Sequence, residues 1–259
     1  MEIRFSHVEV GNQKDLCFVL PNESISAIAG EGKEEVLKLI GEEFPSKGNI
    51  YYNGKRKLKR DQKEYVKDIK YIPMNFQKEL PFENVYEYFT SYIRYHHIPI
   101  KKLEEKIQTS LKILGLKKEI LEKNMSALSS CEQKKIQFSL ALLENPSLFL
   151  LEEPLLSFNQ KESKEMMAVL EKLTDKFHKT IIIATEDHNL IYQYAKHLVF
   201  LKKEKALEGT PEEIYYGEEE CEKPEIVKFI QLVEKEKGVR LDHRKDIRDL
   251  IKDIYRSVS

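Results

Sequence analysis

The chain of 259 residues has only three cysteines, and it has no long apolar run and no excess of either charge. Each shortage excludes something. Cys17, Cys131 and Cys221 are odd in number and far apart, a pattern that speaks against a disulfide framework and against a zinc site, so no metal ligands are expected. No stretch reaches the roughly 20 apolar residues needed to span a bilayer, and Met1-Glu2-Ile3-Arg4-Phe5 lacks the pattern of a secretory signal. A cytosolic protein is expected, with any membrane role exerted through a partner. A net charge of −1 removes the global basic field that nucleic-acid binders use. The basic run Lys55-Arg56-Lys57-Leu58-Lys59-Arg60 reads as a solvated loop. Internal repeats and low-complexity linkers are missing as well.

What remains is a core-forming composition, 41% hydrophobic and 34% charged, in a chain long enough for one large α/β domain with an appendage. Short strands are expected at Ile3 to Val10, Leu16 to Leu20, Ile25 to Ala29, Ile50 to Tyr52 and Ile69 to Ile72. Between Phe82 and Met125 the period becomes helical, with Val85, Tyr88, Phe89 and Tyr92 on one stripe and Leu103, Ile107, Leu111 and Leu114 on another. Continuous apolar runs at Leu148 to Leu151, Ile181 to Ala184 and Leu198 to Leu201 read as buried parallel strands covered on both faces. The tail from Pro211 reads as a separate helical unit with two apolar stripes: Ile226, Phe229, Ile230 and Val233, then Ile247, Leu250, Ile251 and Ile254.

Two motifs carry chemistry. Gly30-Glu31-Gly32-Lys33-Glu34-Glu35 lies where a buried strand turns into a helix, the place of a phosphate-binding loop. In G-x-x-x-x-G-K-[ST] the backbone N–H groups cradle phosphates, the lysine reaches the outer phosphates and the hydroxyl holds Mg²⁺. Here the Gly-Lys pair survives, the loop is about three residues short, and the hydroxyl position is Glu34. The second motif is Glu152-Glu153-Pro154, two carboxylates at the carboxyl end of a buried strand, where α/β folds bind ligands. Taken alone they could be solvated acids. With the loop upstream, Leu128-Ser129-Ser130-Cys131-Glu132-Gln133 between, and another apolar strand behind, they read as part of a nucleotide site.

That order resembles the ATP-binding cassette (ABC) ATPases over nearly the whole chain. Leu128 to Lys135 aligns with the family signature L-S-G-G-[QE]-x-x-[RK], and Leu150 to Asn159 with the Walker B and D-loop pattern L-D-E-P-x-x-G-L-D. Asn53-Gly54-Lys55 is similar to the early β-subdomain, and Leu207-Glu208-Gly209-Thr210-Pro211-Glu212-Glu213-Ile214 to the ending E-G-T-P-E-E-[IV]. Leu155-Leu156 and the tail from Lys223-Pro224-Glu225 resemble the ATPases of energy-coupling factor (ECF) transporters. The resemblance implies a P-loop cassette fold with an N-terminal antiparallel β-subdomain over residues 1–210, a helical subdomain at about 75–130, and a dimerising helical extension over 211–259. It implies ATP and Mg²⁺ as ligands, held at Gly30 to Glu35 and Glu152. Glu153 would be the catalytic carboxylate, and Ser129, Ser130, Cys131 and Glu132 would face a partner's nucleotide. The implied partners are a second ATPase and a transmembrane coupling subunit, without nucleic acid, at the inner face of the membrane.

The sequence departs from the family at assignable places. Besides Glu34, Met74 stands at the Q-loop position, Asn159 replaces the D-loop Asp, Ser157 its Gly, and Glu186 the switch His. Gln77 is too far along to replace Met74, and His188 reads as a bystander. Phe5 or Phe18 is the available aromatic for an adenine ring. At the signature, Ser129 remains able to hydrogen-bond a phosphate. Cys131 reads as a packing residue, with a reactive thiolate as the other possibility. Lys33, deprived of phosphates, is expected to pair with Glu152, Glu153 or Glu34. A degenerate transport subunit is the expectation. A homodimeric working ATPase and a non-transport interaction protein remain open.

Overall fold

The computed structural model describes residues 1–41, 43–61, 67–75, 82–96, 101–203, 205–217, 221–238 and 240–258. Two sheets form its frame. Strands β1 (Ile3–Val10) and β2 (Gln13–Leu20) pair antiparallel. Strand β3 (Ile25–Gly30) runs into helix α1 (Lys33–Gly41), after which β4 (Lys47–Tyr52) and β5 (Lys55–Arg56) complete a four-stranded sheet in the order β2-β1-β4-β5. Then come β6 (Ile69–Ile72), helices α2 (Val85–Tyr95), α3 (Leu103–Ile113) and α4 (Ser130–Glu144), strand β7 (Leu148–Glu152), α5 (Gln160–Phe177), β8 (Thr180–Ala184), α6 (His188–Tyr194), β9 (His197–Leu201) and β10 (Ala206–Gly209). The second sheet has the order β10-β9-β3-β8-β7-β6. Its strands pair in parallel except at the β10 edge.

Because side chains alternate across a strand, the parallel sheet feeds two cores. Ile28, Leu148, Leu150, Ile182, Val199 and Leu201 face α1 and the antiparallel sheet. Ile25, Phe149, Leu151, Ile181 and Ile183 face α4 and α5. The helical segment has its own core around Val85, Phe89, Ile107, Leu111 and Ile136. Its expected helical run is divided into α2, α3 and two short 3₁₀ turns, Lys118–Glu122 and Met125–Ala127. Helices α7 (Pro211–Gly217), α8 (Glu225–Lys237) and α9 (Ile247–Val258) form the tail. Ile214, Tyr215 and Val227 share a core with Ala27, Ala29 and Leu198, so the tail's first part is packed onto the sheet. Ile230, Leu241 and Leu250 form a smaller cluster beyond it.

One expectation fails in the basic run. Lys57 is buried, and its ammonium donates to the carbonyl oxygens of Leu39 (2.6 Å), Ile40 (3.1 Å) and Glu43 (2.7 Å). These are carbonyls at the end of α1, which lack helical partners and attract cations. Lys57 is therefore a cap on α1, while Lys55, Arg56, Lys59 and Arg60 are exposed as expected. Phe5 and Phe18 fail likewise as adenine platforms: they stack on each other at 4.3 Å between centroids and are sealed in the core at 2% exposure each.

Candidate nucleotide site

The parallel sheet brings the separated motifs to one edge. Ile28 of β3 and Glu152 of β7 both register with Ala184 of β8, so the loop at Gly30, the acids at Glu152 and Glu153 and the segment at Thr185 leave adjacent strand ends. Gly30 has φ 91°, and a Cβ there would lie 2.2 Å from the Leu201 carbonyl oxygen. Only glycine serves at such a positive φ and close approach.

The loop closes on the protein's own charges. Lys33 is buried, and its ammonium lies 2.7 Å from Glu186 and 2.9 Å from Glu34. Burial opposes its charge, but the hydrogen bonds to Glu186 and Glu34 outweigh that, and its pKa is raised. Burial would likewise raise the pKa of Glu34, yet the Lys33 hydrogen bond and the backbone N–H of Glu34 itself hold it below the usual value. Glu34 and Glu35 occupy the first turn of α1, where the helix field favours negative charge. Gln13 ties the loop further, donating to the Glu31 carbonyl at 2.8 Å. The expected pairing of Lys33 with Glu34 is present. Glu152 and Glu153 are not its partners; Glu186 takes that place because β8 ends directly beside β3.

Glu152 instead accepts from the Tyr71 hydroxyl and, at 3.3 Å, from the Met74 backbone N–H. Glu153, at φ 41°, accepts from Thr185 Oγ1 at 2.7 Å and from the Glu186 N–H at 3.0 Å. Lys134 approaches these acids from α4. It is 3% exposed and donates to the carbonyls of Pro73 (2.6 Å) and Met74 (2.9 Å). Burial pushes its pKa down to about 8, against the upward pull of Glu152 and Glu153. The apolar stripe on this helix, Ile136, Ser139, Leu140 and Leu143, does not foretell this lysine. Its signal is positional only: it occupies a variable place of the signature, in the buried part of α4. Met74, Ser130 and Ser157 line a cavity of about 320 Å³ with Lys134 and Gln133. Gln77 lies outside the described residues.

At the signature, Ser129 caps α4. Its Oγ accepts from the Glu132 N–H at 3.2 Å and donates to Glu132 Oε2 at 3.0 Å, while its own N–H donates to the same carboxylate at 2.9 Å, a reciprocal capping box. Lys123, at 2.7 Å, holds the Glu132 carboxyl below its usual pKa. The hydroxyl expected to meet a phosphate is thus engaged by an ionised neighbour. Asn159 caps α5 in the same manner with Glu162. Glu162 in turn accepts from Cys131 (3.2 Å) and Lys135 (3.4 Å).

Burial and the Glu162 hydrogen bond push the Cys131 thiol up to about 11 from 9.0, which supports the packing reading. About 100-fold less thiolate is then present near neutral pH than in an ordinary cysteine. Alkylation followed by mass spectrometry is expected to modify exposed Cys17 well before Cys131. Equal rates would refute the reading of Cys131 as a packing residue. His188 is 6% exposed, hydrogen-bonds the Tyr215 hydroxyl at 2.9 Å and has its pKa lowered by burial. It is a core histidine facing α7.

Among the described residues no helix is long and apolar enough to cross a membrane. A CbiO1 structure from Clostridium perfringens, described as part of the ABC transporter complex CbiONQ, superimposes with TM-score 0.72 at 19% identity, covering 90% of this chain and 94% of that one. The spermidine/putrescine import ATP-binding protein PotA of Clostridium acetobutylicum is 30% identical over 76% of this chain and 56% of its own length. The same protein of Borreliella afzelii is 29% identical over 75% of this chain, again 56% of its own length; the chain spans little more than half of these relatives. The energy-coupling factor transporter ATP-binding protein EcfA3 of Oenococcus oeni is 26% identical over 87% of this chain and 85% of its length. The family described as ABC transporter matches residues 14–156, more than half of the chain, and with the P-loop and paired carboxylates at adjacent strand ends of one sheet, the chain belongs to the ABC transporter family.

Proposed function

We propose that the chain is a non-hydrolysing ABC subunit of an importer, most like those of ECF transporters, paired with a competent ATPase and a transmembrane coupling subunit. The observation carrying this reading is the ion-pair triad of Lys33 with Glu34 and Glu186. Mg·ATP does not fit there. The loop lysine is already neutralised and Glu34 occupies the anion position at the start of α1. A carboxylate about 4 Å from a phosphate costs on the order of 4 kcal/mol at an effective dielectric near 20. Glu153 keeps the catalytic carboxylate's place but has no nucleotide to serve in its own site.

On this reading residues 1–210 are the cassette, with a helical subdomain at about 75–130 and a groove near residues 74 to 94 that grips the membrane subunit, and 211–259 the extension that meets the second ATPase. Residues 76–81, within the proposed grip, lie outside the described residues. Among the described residues of the extension, Phe229, Leu232, Ile247, Ile251 and Tyr255 are the exposed large apolar ones. The chain works on the cytoplasmic face, the partner supplies turnover, and the solute is a vitamin or metal ion.

Calorimetry of Mg·ATP with the purified chain is expected to give no saturable binding below millimolar concentration, and the chain alone is expected to show no ATP turnover. Micromolar affinity would overturn this reading, and turnover abolished by Glu153→Gln would favour the homodimeric ATPase.

A further inference from the structure

The second site lies on the outer face of the antiparallel sheet. Phe5 registers with Phe18 and Val8 with Leu16, so Ser6 and His7 together oppose Cys17. Val8 then pairs with Leu16 and Val10 with Gln13, leaving Lys14 and Asp15 opposite Glu9. These are two successive bulges, one on each strand, and bulges re-aim side chains. Phe5, Val8, Leu16 and Phe18 stay in the core, while His7, Asp15 and Cys17 emerge together into solvent. His7 and Asp15 hold φ of 53° and 55°, a backbone region that costs non-glycine residues on the order of 1 kcal/mol or more. The bulge is held from the other side, where a Cβ on Gly48 would lie 2.2 Å from the His7 carbonyl oxygen. Such backbone strain, spent to collect three exposed polar groups, gains no burial.

We propose that His7, Asp15 and Cys17 form a site for a thiophilic divalent cation of the zinc class. His7 Nδ1 lies 2.6 Å from Asp15 Oδ1 and 3.7 Å from Cys17 Sγ, and one donor atom from each residue falls within 4.8 Å of the others. Tetrahedral zinc, with bonds of about 2.0 to 2.3 Å, separates its ligand atoms by roughly 3.3 to 3.6 Å. The imidazole–thiol spacing of 3.7 Å lies just above that range, and the exposed carboxylate needs to move outward. Binding releases the thiol proton and any proton shared by His7 and Asp15, and leaves the fourth position to water. Sulfur and imidazole select zinc, cobalt or copper over Mg²⁺, so this site is independent of the nucleotide chemistry. A count of cysteines missed it, because two of the three ligands are not cysteines and only the bulges align them.

The test uses the reduced, untagged full chain titrated with Co²⁺ and then Zn²⁺. One equivalent of Co²⁺ is expected, with a sulfur-to-cobalt charge-transfer band that Zn²⁺ displaces and excess Mg²⁺ does not. Cys17→Ser should abolish the band, and His7→Ala and Asp15→Asn should each weaken Zn²⁺ binding about tenfold or more. Because all three side chains are exposed, circular dichroism should show the variants folded. Absence of binding, a band surviving Cys17→Ser, or affinity unchanged by His7→Ala would overturn the site and leave an ordinary His7–Asp15 ion pair.

Discussion

Replacing Glu34 by threonine and Glu186 by histidine is expected to tighten Mg·ATP binding to the purified chain by at least two orders of magnitude. The reasoning is electrostatic. In the native chain the Lys33 ammonium is held by both acids, and any phosphate entering the loop must displace them while lying beside a carboxylate. Removing one carboxylate about 4 Å from a phosphate relieves on the order of 4 kcal/mol, and each 1.4 kcal/mol is tenfold in affinity. The double change also returns a metal-binding hydroxyl to the start of α1 and frees the lysine. The single changes will not add, since both acids share Lys33 and removing either strengthens the other's hold. Glu186→His alone should therefore give only a small gain, with Glu34→Thr carrying most of the effect. Calorimetry on the four proteins checks the whole pattern. Unchanged affinity in the double variant would place the exclusion of nucleotide in the shortened backbone between Gly30 and Lys33 instead of in charge.

The contrast between Lys33 and Glu186 shows how far the sequence could be read. The strands were legible because buried parallel strands write themselves as apolar runs, and the glycine-lysine pair and the two carboxylates were legible because motif spacing is local. That Lys33 would seek a carboxylate followed from its loss of phosphates. Which carboxylate it found depended on strand order: β8 lies between β3 and β7, so the segment after β8 reaches the lysine before the acids after β7 do. Spacing along a chain carries no such information. Lys57 and Lys134 were missed for a related reason. A lysine in a charged run or on a helix reads as solvated, whereas here each ammonium meets carbonyl groups left open elsewhere, at the end of α1 for Lys57 and at Pro73 and Met74 for Lys134. The pairing of Ser129 with Glu132, by contrast, could have been read directly, because serine followed three residues later by glutamate is itself a helix-start pattern.

Lys134 leads to the second large effect, which appears as a pH dependence. Burial lowers its pKa to about 8 from 10.5 in a free chain, with Glu152 and Glu153 acting in the other direction. Below about pH 8 both folded and unfolded chains carry the proton, so the full cost of burying the charge is present, on the order of 3 kcal/mol at 1.36 kcal/mol per unit. Between the two pKa values the unfolded chain binds more protons than the folded one, and stability must rise with pH. From about pH 7.5 to about pH 9.5 this lysine should contribute a gain of about 2 kcal/mol. Tyr88 acts oppositely and only above about pH 10, where the unfolded tyrosine loses its proton while the folded one, its pKa raised to about 12 by burial, keeps it. Urea unfolding of the native chain and of Lys134→Met at the two pH values isolates the term: the native chain should gain about 2 kcal/mol relative to the variant. A difference that stays flat would mean that the Pro73 and Met74 carbonyls and the two acids fully offset the burial. In that case the ammonium would remain charged throughout, a permanent counter-ion for carboxylates that in this family otherwise face Mg²⁺. Either slope reports directly on how the acid pair at the end of β7 is neutralised when the chain carries no nucleotide.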